Sequence, residues 1–232
     1  MKKSTLAIIP ARGGSKRLPR KNVKLLHGKP LIAWTIDAAL AAKTIDDVIV
    51  STDDGEIASI ARQYGAQVPF IRPASLASDT STTEDVIRHA VDFMSVKNNY
   101  DKVIILQPTS PLRTAENIDE ANLFFDSQNA NAVVSVTECE HNPNWINGID
   151  DTYSLEGFMD AKNFRKGKFY RLNGAMYIIK KELSSDFSVF YKKESFAYVM
   201  SRYDSIDIDE MSDFDYADHL MLKRFNFQGN RL

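Results

Sequence analysis

The sequence predicts an α/β fold with a mainly parallel sheet that helices cover on both faces. First, short apolar runs alternate along the chain with segments that carry helix signals, which is typical of parallel sheets. Second, 232 residues with 44% hydrophobic content can bury one large core. Third, a cationic glycine loop directly follows the first apolar run, where α/β folds bind their ligands. We therefore expect one domain over residues 1–232.

The predicted elements follow this alternation through the first 136 residues. Strands are expected at 6–9, 47–52, 68–71, 102–106 and 132–136. Helices are expected at 30–40, from the acids at 53–56 through Tyr64, from Thr83 onward, and at about 115–126. Pro30 suits a first helical position because the N–H of that position has no helical partner. The acids at 53–56 suit the positive start of the second helix.

The pattern changes after Thr137. Residues 138–170 are polar, aromatic and irregular, and they contain the turn-forming pairs Asn-Pro and Asn-Gly. Two interpretations stay open for this insertion: a local lid over the site, or a β-rich arm exchanged with a second subunit. Strands are expected to resume at 175–179, 196–200 and 205–209, and a final helix is expected at about 212–224.

Composition limits the class of partner. The 29 basic and 31 acidic residues leave a formal net charge of −2, which argues against general binding to nucleic acid or to a membrane. No segment approaches membrane-spanning length, and the start of the sequence lacks a signal-peptide pattern. The single cysteine, Cys139, cannot form an intrachain disulfide. We therefore expect a cytoplasmic protein that binds a small anion, with no nucleic acid and no membrane as partner.

The loop after the first strand has the composition of a phosphate site. Gly13 and Gly14 have no Cβ and can adopt positive φ, so that backbone N–H groups can turn toward an anion. The charge comes from Arg12, Lys16, Arg17, Arg20 and Lys21. A solvated basic turn is the plainer interpretation, but the position at the end of the first strand favours phosphate. Neither a P-loop nor a Gly-x-Gly-x-x-Gly motif occurs, which argues against P-loop ATP hydrolysis and hydride transfer.

Asp207 and Asp209 are candidate ligands for a hard divalent cation. In the predicted strand at 205–209 they lie two positions apart and therefore face the same side. One or two carboxylates commonly hold Mg²⁺ while substrate phosphates supply further ligands. An acidic edge strand or a helix cap is the plainer interpretation. The phosphate loop favours the metal, because fixed cations and Mg²⁺ together match a nucleoside triphosphate.

Other polar segments suit recognition of a base, a sugar or a carboxylate. Residues 107–113 follow a central strand and include Gln107, Thr109 and Ser110, whose groups add no charge. Residues 72–83 combine Arg72 with several hydroxyls, although a plain N-cap explains Thr83 equally well.

The later strands add candidates for the acceptor side. Arg171 and Asn173 precede a glycine turn and suit a bound carboxylate or amide. Phe190 and Tyr191 could form an apolar wall beside an acyl group, although core packing is the ordinary role of a residue such as Phe190. The four histidines lack ligand spacing, and no Gly-x-Ser-x-Gly elbow occurs, so we expect neither a zinc site nor acyl transfer.

With these motifs in order, the chain resembles the acylneuraminate cytidylyltransferases, the CMP-sialic acid synthetases, over nearly its whole length. The resemblance rests on residues 9–16 with Lys21 and Asn22, then 72–79, 106–113, 173–175 and 207–209. It implies a Rossmann-like nucleotide-diphospho-sugar transferase fold and Mg²⁺-dependent transfer of CMP from CTP to a nine-carbon keto-acid sugar. It also implies a homodimer formed through an insertion at 138–190.

The resemblance further implies roles for individual residues. Catalysis would involve Arg12, Lys21 and Asp209. The nucleotide would contact Ala11, Arg12, Gly13, Ser15, Lys21, Asn22, Arg72, Ser81 and Thr83. The sugar would contact Gln107, Thr109, Ser110, Arg165, Asn173, Tyr177, Phe190 and Tyr191. The metal would be held by Asp207 and Asp209, while Arg17 and Arg20 are expected to be solvated charges.

Two departures from the family pattern bear on the sugar. This chain has Trp145 where many members carry a lysine. It has the sequence Asn-Phe-Arg-Lys-Gly at 163–167 where many members carry Arg-Gln-x-Leu-Pro. Arg165 is therefore the expected substitute for the missing arginine, shifted by two residues. The resemblance implies N-acylneuraminate as acceptor, with legionaminate and 3-deoxy-manno-octulosonate as alternatives. A catalytically silent nucleotide-binding protein on the same fold is the alternative of another class.

Overall fold

The structure is a computed structural model that describes residues 4–78, 80–96, 98–143, 146 and 167–229, with the backbone alone at 226–229. A six-stranded sheet forms its centre. The strands are β1 (Thr5–Pro10), β4 (Asp47–Ser51), β5 (Lys102–Leu106), β6 (Ala132–Glu138), β7 (Tyr170–Lys180) and β8 (Ser195–Met200). A separate small hairpin pairs β2 (Leu25–Leu26) with β3 (Lys29–Pro30).

The order of strands across the sheet is β4-β1-β5-β7-β6-β8. Neighbours pair in parallel except at β7, which runs antiparallel to both β5 and β6. The sheet is therefore mixed and mostly parallel, as the alternation of strands and helices predicts. The reversed strand β7 lies between two neighbours and pairs with both of them in the antiparallel sense.

Five helices surround the sheet: α1 (Leu31–Ala41), α2 (Gly55–Gln63), α3 (Thr83–Ser95), α4 (Ala115–Ser127) and α5 (Met211–Gly229). The first four confirm the predicted helices to within about two residues at most ends. Asp54 caps α2 by accepting the N–H groups of Glu56 and Ile57, as the acids at 53–56 predict. Among the described residues, no helix combines the length and apolar character needed to cross a bilayer.

The core divides into layers on the two faces of the sheet. On one face α1, α2 and α4 pack against side chains such as Ile9 and Ile104, and on the other α3 packs against Ile8 and Ile105. Neighbouring residues of β1 and β5 thus point to opposite cores, which confirms a sheet buried on both faces. A third cluster joins the start of the chain to α5 through Leu18, Leu26, Leu31, Leu112, Ile208, Phe214, Ala217, Leu220 and Met221.

Two predicted strands are wrong. Residues 68–71 form no strand, because only Gln67 bridges to Ile49 and Pro69 offers no N–H to extend the pairing. Residues 205–209 form no strand either. There the N–H of Ile208 donates to the carbonyl of Thr109 at 2.8 Å, so that the segment is held by a loop and not by a strand ladder. The same-face argument for Asp207 and Asp209 therefore loses its basis.

Candidate active site

A cavity of about 650 Å³ opens at the carboxyl ends of the central strands. Its walls come from the loop after β1, the segment between β4 and α3, the loop after β5, and the segment before α5. Ten residues predicted to act at a site line it: Arg12, Ser15, Lys21, Asn22, Arg72, Ser81, Thr83, Gln107, Thr109 and Asp209. The structure thus brings together residues separated by almost the whole chain, at the edge where α/β sheets bind ligands.

Lys21 and Asp209 form the centre of this cavity. Lys21 is buried, and its Nζ donates to the carbonyl of Ile208 and lies 3.3 Å from Asp209 Oδ1. Ile208 is fully buried in the cluster around α5, and this anchoring holds Asp209 against the loop after β1. Asp213 accepts the N–H groups of Asp209 and Glu210 and so fixes the segment at the start of α5. The result is a buried ammonium group beside a half-exposed carboxylate.

Arg72 forms a second cationic wall. Its Nε donates to Ser51 Oγ at 3.2 Å, and its Nη2 donates to the carbonyl of the same residue. Burial lowers the pKa of Arg72, the nearby Asp53 acts in the opposite direction, and Arg12 adds a like charge. Two guanidinium groups held close together in this way favour a multiply charged anion between them.

The glycine loop is held by acids and differs from the predicted anion nest. The N–H of Gly13 donates to Asp53 Oδ1 at 3.1 Å. Neither Gly13 nor Gly14 adopts positive φ, so that the expectation of left-handed glycines is wrong. Gly13 is required for space, because a Cβ there would lie 2.6 Å from Asp54 Oδ2. The carboxylates after β4 thus fix the backbone of the loop, while its side chains face the cavity.

Arg17 and Arg20 are exposed, as expected for solvated charges, but both also form ion pairs. Arg20 Nη groups contact Asp54 and Glu56 at the start of α2, and the hydrogen bond from Arg20 holds the pKa of Asp54 below its usual range. Arg20 has φ 57, a left-handed conformation that is uncommon for a residue with a Cβ. Arg17 lies on the other side of the loop, where its Nη1 is 2.8 Å from Asp209 Oδ2.

Hydroxyl groups line the cavity wall before α3. Ser81 Oγ donates to the carbonyl of Ser75 at 2.8 Å and lies 2.8 Å from Ser78 Oγ. The N-cap of α3 is Thr82, whose Oγ1 accepts the N–H of Asp85. Thr83, the expected alternative N-cap, is therefore the first residue of α3 and not its cap. It lines the cavity.

The loop after β5 is fixed from within the core. Arg113 is fully buried, donates to the carbonyl of Ala175 at 2.6 Å and to Thr35 Oγ1 at 2.9 Å, and contacts the Gln107 carbonyl. Burial lowers the pKa of Arg113 to about 9. This side chain ties β5, β7 and α1 together behind the loop, so that Gln107 and Thr109 reach the cavity on a rigid support.

Asp207 lies beside this loop and does not line the cavity. Burial raises the pKa of Asp207, and the charge of Asp209 acts in the same direction. A Cβ on Gly174, which has φ +72, would approach Asp207 Oδ2 to 3.2 Å and Gln107 Oε1 to 3.7 Å. The two oxygen acceptors therefore flank a notch over Gly174. The Thr109 hydroxyl faces the same carboxyl, and its hydrogen bond lowers the pKa of Asp207 against the effect of burial.

The other described residues predicted to bind the sugar or nucleotide do not line the cavity. Asn173 is buried, where its amide contacts Ser135 and Ser205 and supports the strand. Tyr177 packs edge-to-face on buried Phe190, while Tyr191 is exposed nearby. The remaining positions are Ser110 and Ala11, both buried, and Arg165, which lies outside the described residues. Arg171 instead forms a double contact with Glu140.

The donor set of the site fits a magnesium ion. Within the described ranges no group of three or more His, Cys, Asp or Glu side chains could hold a metal. Hard oxygen atoms are nevertheless present in the half-exposed carboxylate of Asp209, which lines the cavity, and in the buried carboxyl of Asp207 two positions earlier. Two carboxylates together with substrate phosphates form the kind of coordination shell that Mg²⁺ takes.

Sequence reasoning did not assign Asp53 and Asp54 to the site. It treated them only as acids at a helix start, although they follow β4, which is the neighbour of β1 in the sheet. The rule that carboxyl ends of adjacent parallel strands share one edge places these acids beside the glycine loop. No pattern in the sequence predicts the ion pair between Arg17 and Asp209, because that pair depends on how α5 packs against the rest of the fold.

The chain is similar in sequence to several known proteins. The sequence profile described as cytidylyltransferase matches residues 6–231. The chain is 40% identical over 225 residues to a CMP-N,N'-diacetyllegionaminic acid synthase of Legionella pneumophila, covering 93% of this chain and 95% of that one. It is 34% identical over 223 residues to a pseudaminic acid cytidylyltransferase of Campylobacter jejuni, covering 91% and 94%.

A longer relative is the N-acylneuraminate cytidylyltransferase of Escherichia coli. Identity is 37% over 228 residues, covering 97% of this chain but only 54% of that protein. The chain therefore spans about half the length of that relative.

Solved structures share the fold at low sequence identity. A CMP:2-keto-3-deoxy-manno-octonic acid synthetase complexed with CTP superposes with a TM-score of 0.72 at 17% identity, covering 95% of this chain and 99% of the other. A 4-diphosphocytidyl-2C-methyl-D-erythritol synthase from Anaerococcus prevotii gives a TM-score of 0.69 at 17% identity, covering 96% and 100%.

Proposed function

The chain belongs to the cytidylyltransferase family, and from this premise we propose that it transfers CMP from CTP to a nonulosonic acid with release of pyrophosphate. The acceptor we put first is an N-acylneuraminate. The products are then a CMP-sialate and pyrophosphate, and the reaction depends on Mg²⁺.

One observation carries the proposal. The cations of the glycine loop and the Asp209 carboxylate line the same open cavity, and the buried ammonium of Lys21 lies 3.3 Å from that carboxylate. Triphosphate chemistry needs both kinds of group, because the cations neutralise phosphate charge while a carboxylate holds the metal. A site for an uncharged ligand would have no use for this arrangement.

Arg12, Lys21 and Arg72 bind the triphosphate in this proposal. Lys21 is held by the Ile208 carbonyl, so that its position costs little reorganisation when charge develops. Arg72 is likewise fixed by Ser51. Ser15, Asn22, Ser81 and Thr83 supply neutral hydrogen bonds to the nucleotide from the same walls.

Asp209, with Asp207, holds the magnesium ion in this proposal. When bound, Mg²⁺ supplies charge neutralisation at the phosphates and lowers the pKa of a coordinated hydroxyl. Asp209 also orients the acceptor hydroxyl and takes its proton. The half-exposed carboxylate of Asp209 suits this task better than the buried carboxyl of Asp207, whose pKa is raised by burial.

The chemical step is a substitution at the α-phosphorus. The anomeric hydroxyl oxygen forms a bond to this phosphorus, the bond to the β-phosphate oxygen breaks, and pyrophosphate leaves with the electron pair. Arg12 and Lys21 stabilise the negative charge that moves onto the leaving group. Catalysis therefore consists of positioning and charge neutralisation, without a covalent intermediate on the protein.

The acceptor lies on the side of Gln107 and Thr109 in this proposal. These two groups are the sugar candidates that line the cavity. N,N'-diacetyllegionaminate is the second candidate acceptor, and the 40% identity to a legionaminate-activating relative over nearly the whole chain favours it.

We further propose that the chain forms a homodimer through residues 138–190. Supporting this, Leu172 and Val199 are about half exposed, and both are in register with Val136 across the sheet. An apolar row of this kind at the end of three strands is a candidate for burial against another subunit. Light scattering of the purified protein tests the dimer, and a monomer at micromolar concentration would contradict it.

A pyrophosphate-release assay with CTP and Mg²⁺ tests the proposed activity. The acceptors are N-acetylneuraminate, N,N'-diacetyllegionaminate, pseudaminate and 3-deoxy-manno-octulosonate, each paired with a reaction lacking acceptor. We expect acceptor-dependent release with at least one nine-carbon sugar. CTP binding with no release for any acceptor would instead support a silent nucleotide-binding protein, and the ratio of kcat/KM values decides the sugar.

A further inference from the structure

Both carboxylate oxygens of Asp209 are held by cations of one loop. Lys21 Nζ lies 3.3 Å from Oδ1, and Arg17 Nη1 lies 2.8 Å from Oδ2. A divalent cation at Asp209 needs at least one of these oxygens. Since like charges repel strongly at such separations, one of the two side chains has to yield to the metal.

The surroundings of the two cations identify which one can move. The Lys21 side chain is only 10% exposed and also donates to the Ile208 carbonyl. The Arg17 side chain is 73% exposed, and in the part of the chain that the structure describes it pairs with Asp209. An exposed ion pair is worth little, whereas withdrawing Lys21 would strip a buried ammonium of its hydrogen bond. Arg17 is therefore the side chain that leaves.

We propose that Arg17 is an exchangeable cation, which pairs with Asp209 until a divalent cation takes that carboxylate and then turns to bind the triphosphate. The inference rests on the proposed function and deepens it by adding a phosphate-binding residue. Arg17 already lines the cavity beside Lys16 and Lys21. Its long side chain and fork of N–H donors suit phosphate oxygens within reach of the same backbone position.

The exchange couples the two ligands. The metal must break the ion pair between Arg17 and Asp209 in order to bind. When the nucleotide is present, the freed guanidinium group of Arg17 forms a new ion pair with a phosphate. Metal therefore binds more weakly to the free protein than to the protein with CTP. By linkage, CTP binds more tightly once the metal is bound, and by the same factor.

Mn²⁺ binding measured without an acceptor tests this exchange apart from turnover. Electron paramagnetic resonance titrations count free Mn²⁺ without CTP for the wild type, for Arg17→Gln and for Arg20→Gln, and calorimetric titration at fixed Mn²⁺ measures the affinity of each protein for CTP. Arg20→Gln is the matched control, since it removes a cation of the same loop that pairs with Asp54 and Glu56, outside the cavity.

Without CTP, we expect Arg17→Gln to bind Mn²⁺ about two- to fivefold more tightly than the wild type. With Mn²⁺ present, we expect it to bind CTP about five- to tenfold more weakly. Arg20→Gln should reproduce neither change. Unchanged or weaker Mn²⁺ binding by Arg17→Gln without CTP overturns the exchange, as does an equal effect of Arg20→Gln.

Failure of the exchange and failure of the proposed function give different results. A wild type that releases pyrophosphate with an acceptor, together with an Arg17→Gln variant of unchanged Mn²⁺ and CTP affinity, overturns the exchange alone. A wild type that binds no Mn²⁺ and releases no pyrophosphate overturns both.

Discussion

Lys21 Nζ lies 3.3 Å from Asp209 Oδ1 although the two residues are 188 positions apart in the chain. The contact joins the loop after the first strand to the segment before the last helix. Its geometry is set by two separate anchors, the carbonyl of Ile208 for the ammonium and the side chain of Asp213 for the backbone of the acid. The predictions below separate the contributions of these two groups and of the loop that carries Lys21.

Lys21→Gln should lower kcat/KM by about 10²- to 10³-fold, because it removes a preorganised charge at the triphosphate. The measurement is pyrophosphate release at varied CTP, with circular dichroism to confirm the fold. Lys24→Gln is the matched control, since Lys24 lies over the Phe214 ring and not in the cavity. Equal activity losses in the two variants would contradict a specific role for Lys21.

Asp209→Asn should abolish most turnover, by at least about 100-fold, and leave the fold intact. The amide keeps the size of the side chain but loses the charge that holds a metal and accepts a proton. Asp215→Asn, an exposed acid near the start of the same helix, serves as the control. Near-normal turnover by a folded Asp209→Asn protein would remove Asp209 from the mechanism.

Gly13→Ala should weaken CTP binding and destabilise the protein by about 1–3 kcal/mol, because the new methyl group would collide with Asp54 Oδ2. Gly14→Ala provides the control within the same loop, since no atom lies within 4 Å of a Cβ there. Urea denaturation and CTP titration measure the two effects. Indistinguishable stabilities of the two variants would show that the loop shifts freely to admit the methyl group.

Asp207→Asn should stabilise the protein at neutral pH while lowering activity. Burial raises the pKa of Asp207 in the folded protein above the usual 3.8. As pH rises from 3.8, the folded chain therefore keeps a proton that the unfolded chain has lost, and stability falls with pH in this window. Asparagine has no proton to lose at this position.

Thermal unfolding at several pH values measures this difference. The variant should unfold at a higher temperature than the wild type at pH 7, and the gap should narrow as pH falls toward 3.8. A difference in unfolding temperature that does not change with pH would show that the substitution acts through packing and not through ionisation of Asp207. The exposed acid variant Asp215→Asn should show no such dependence.

Local patterns in the sequence predicted most of the fold and much of the cavity wall. The strands at the centre of the sheet and the helices with Asp or Thr caps follow from apolar periodicity and turn chemistry. The segment at 68–71 was predicted wrongly because its apolar residues do not share one environment: Phe70 packs beside α3, Val68 packs against the core on the other face of the sheet, and Ile71 is exposed. The reversed direction of β7 depends on the path of the chain after β6, which no local pattern encodes.

The sequence predicted which residues line the cavity more reliably than it predicted the contacts between them. Arg12 and Lys21 reach the cavity because they follow β1, whereas Arg72 is held there by Ser51 of β4. Asp209 is placed there by the buried Ile208 beside it. Which cation pairs with which acid depends on side-chain packing between distant segments. For that reason Arg20 proved to be an anchor on α2, and Arg17 a partner of Asp209, where the sequence predicted solvated charges.

Because α5 packs against Leu18, Leu26 and Leu31, the apolar contact behind the cavity sets the position of a charged group inside it. Ile208 belongs to the same buried cluster, and its carbonyl accepts the Lys21 ammonium. A smaller side chain at Leu26, which does not line the cavity, would therefore loosen the contact between Lys21 and Asp209 without altering either residue.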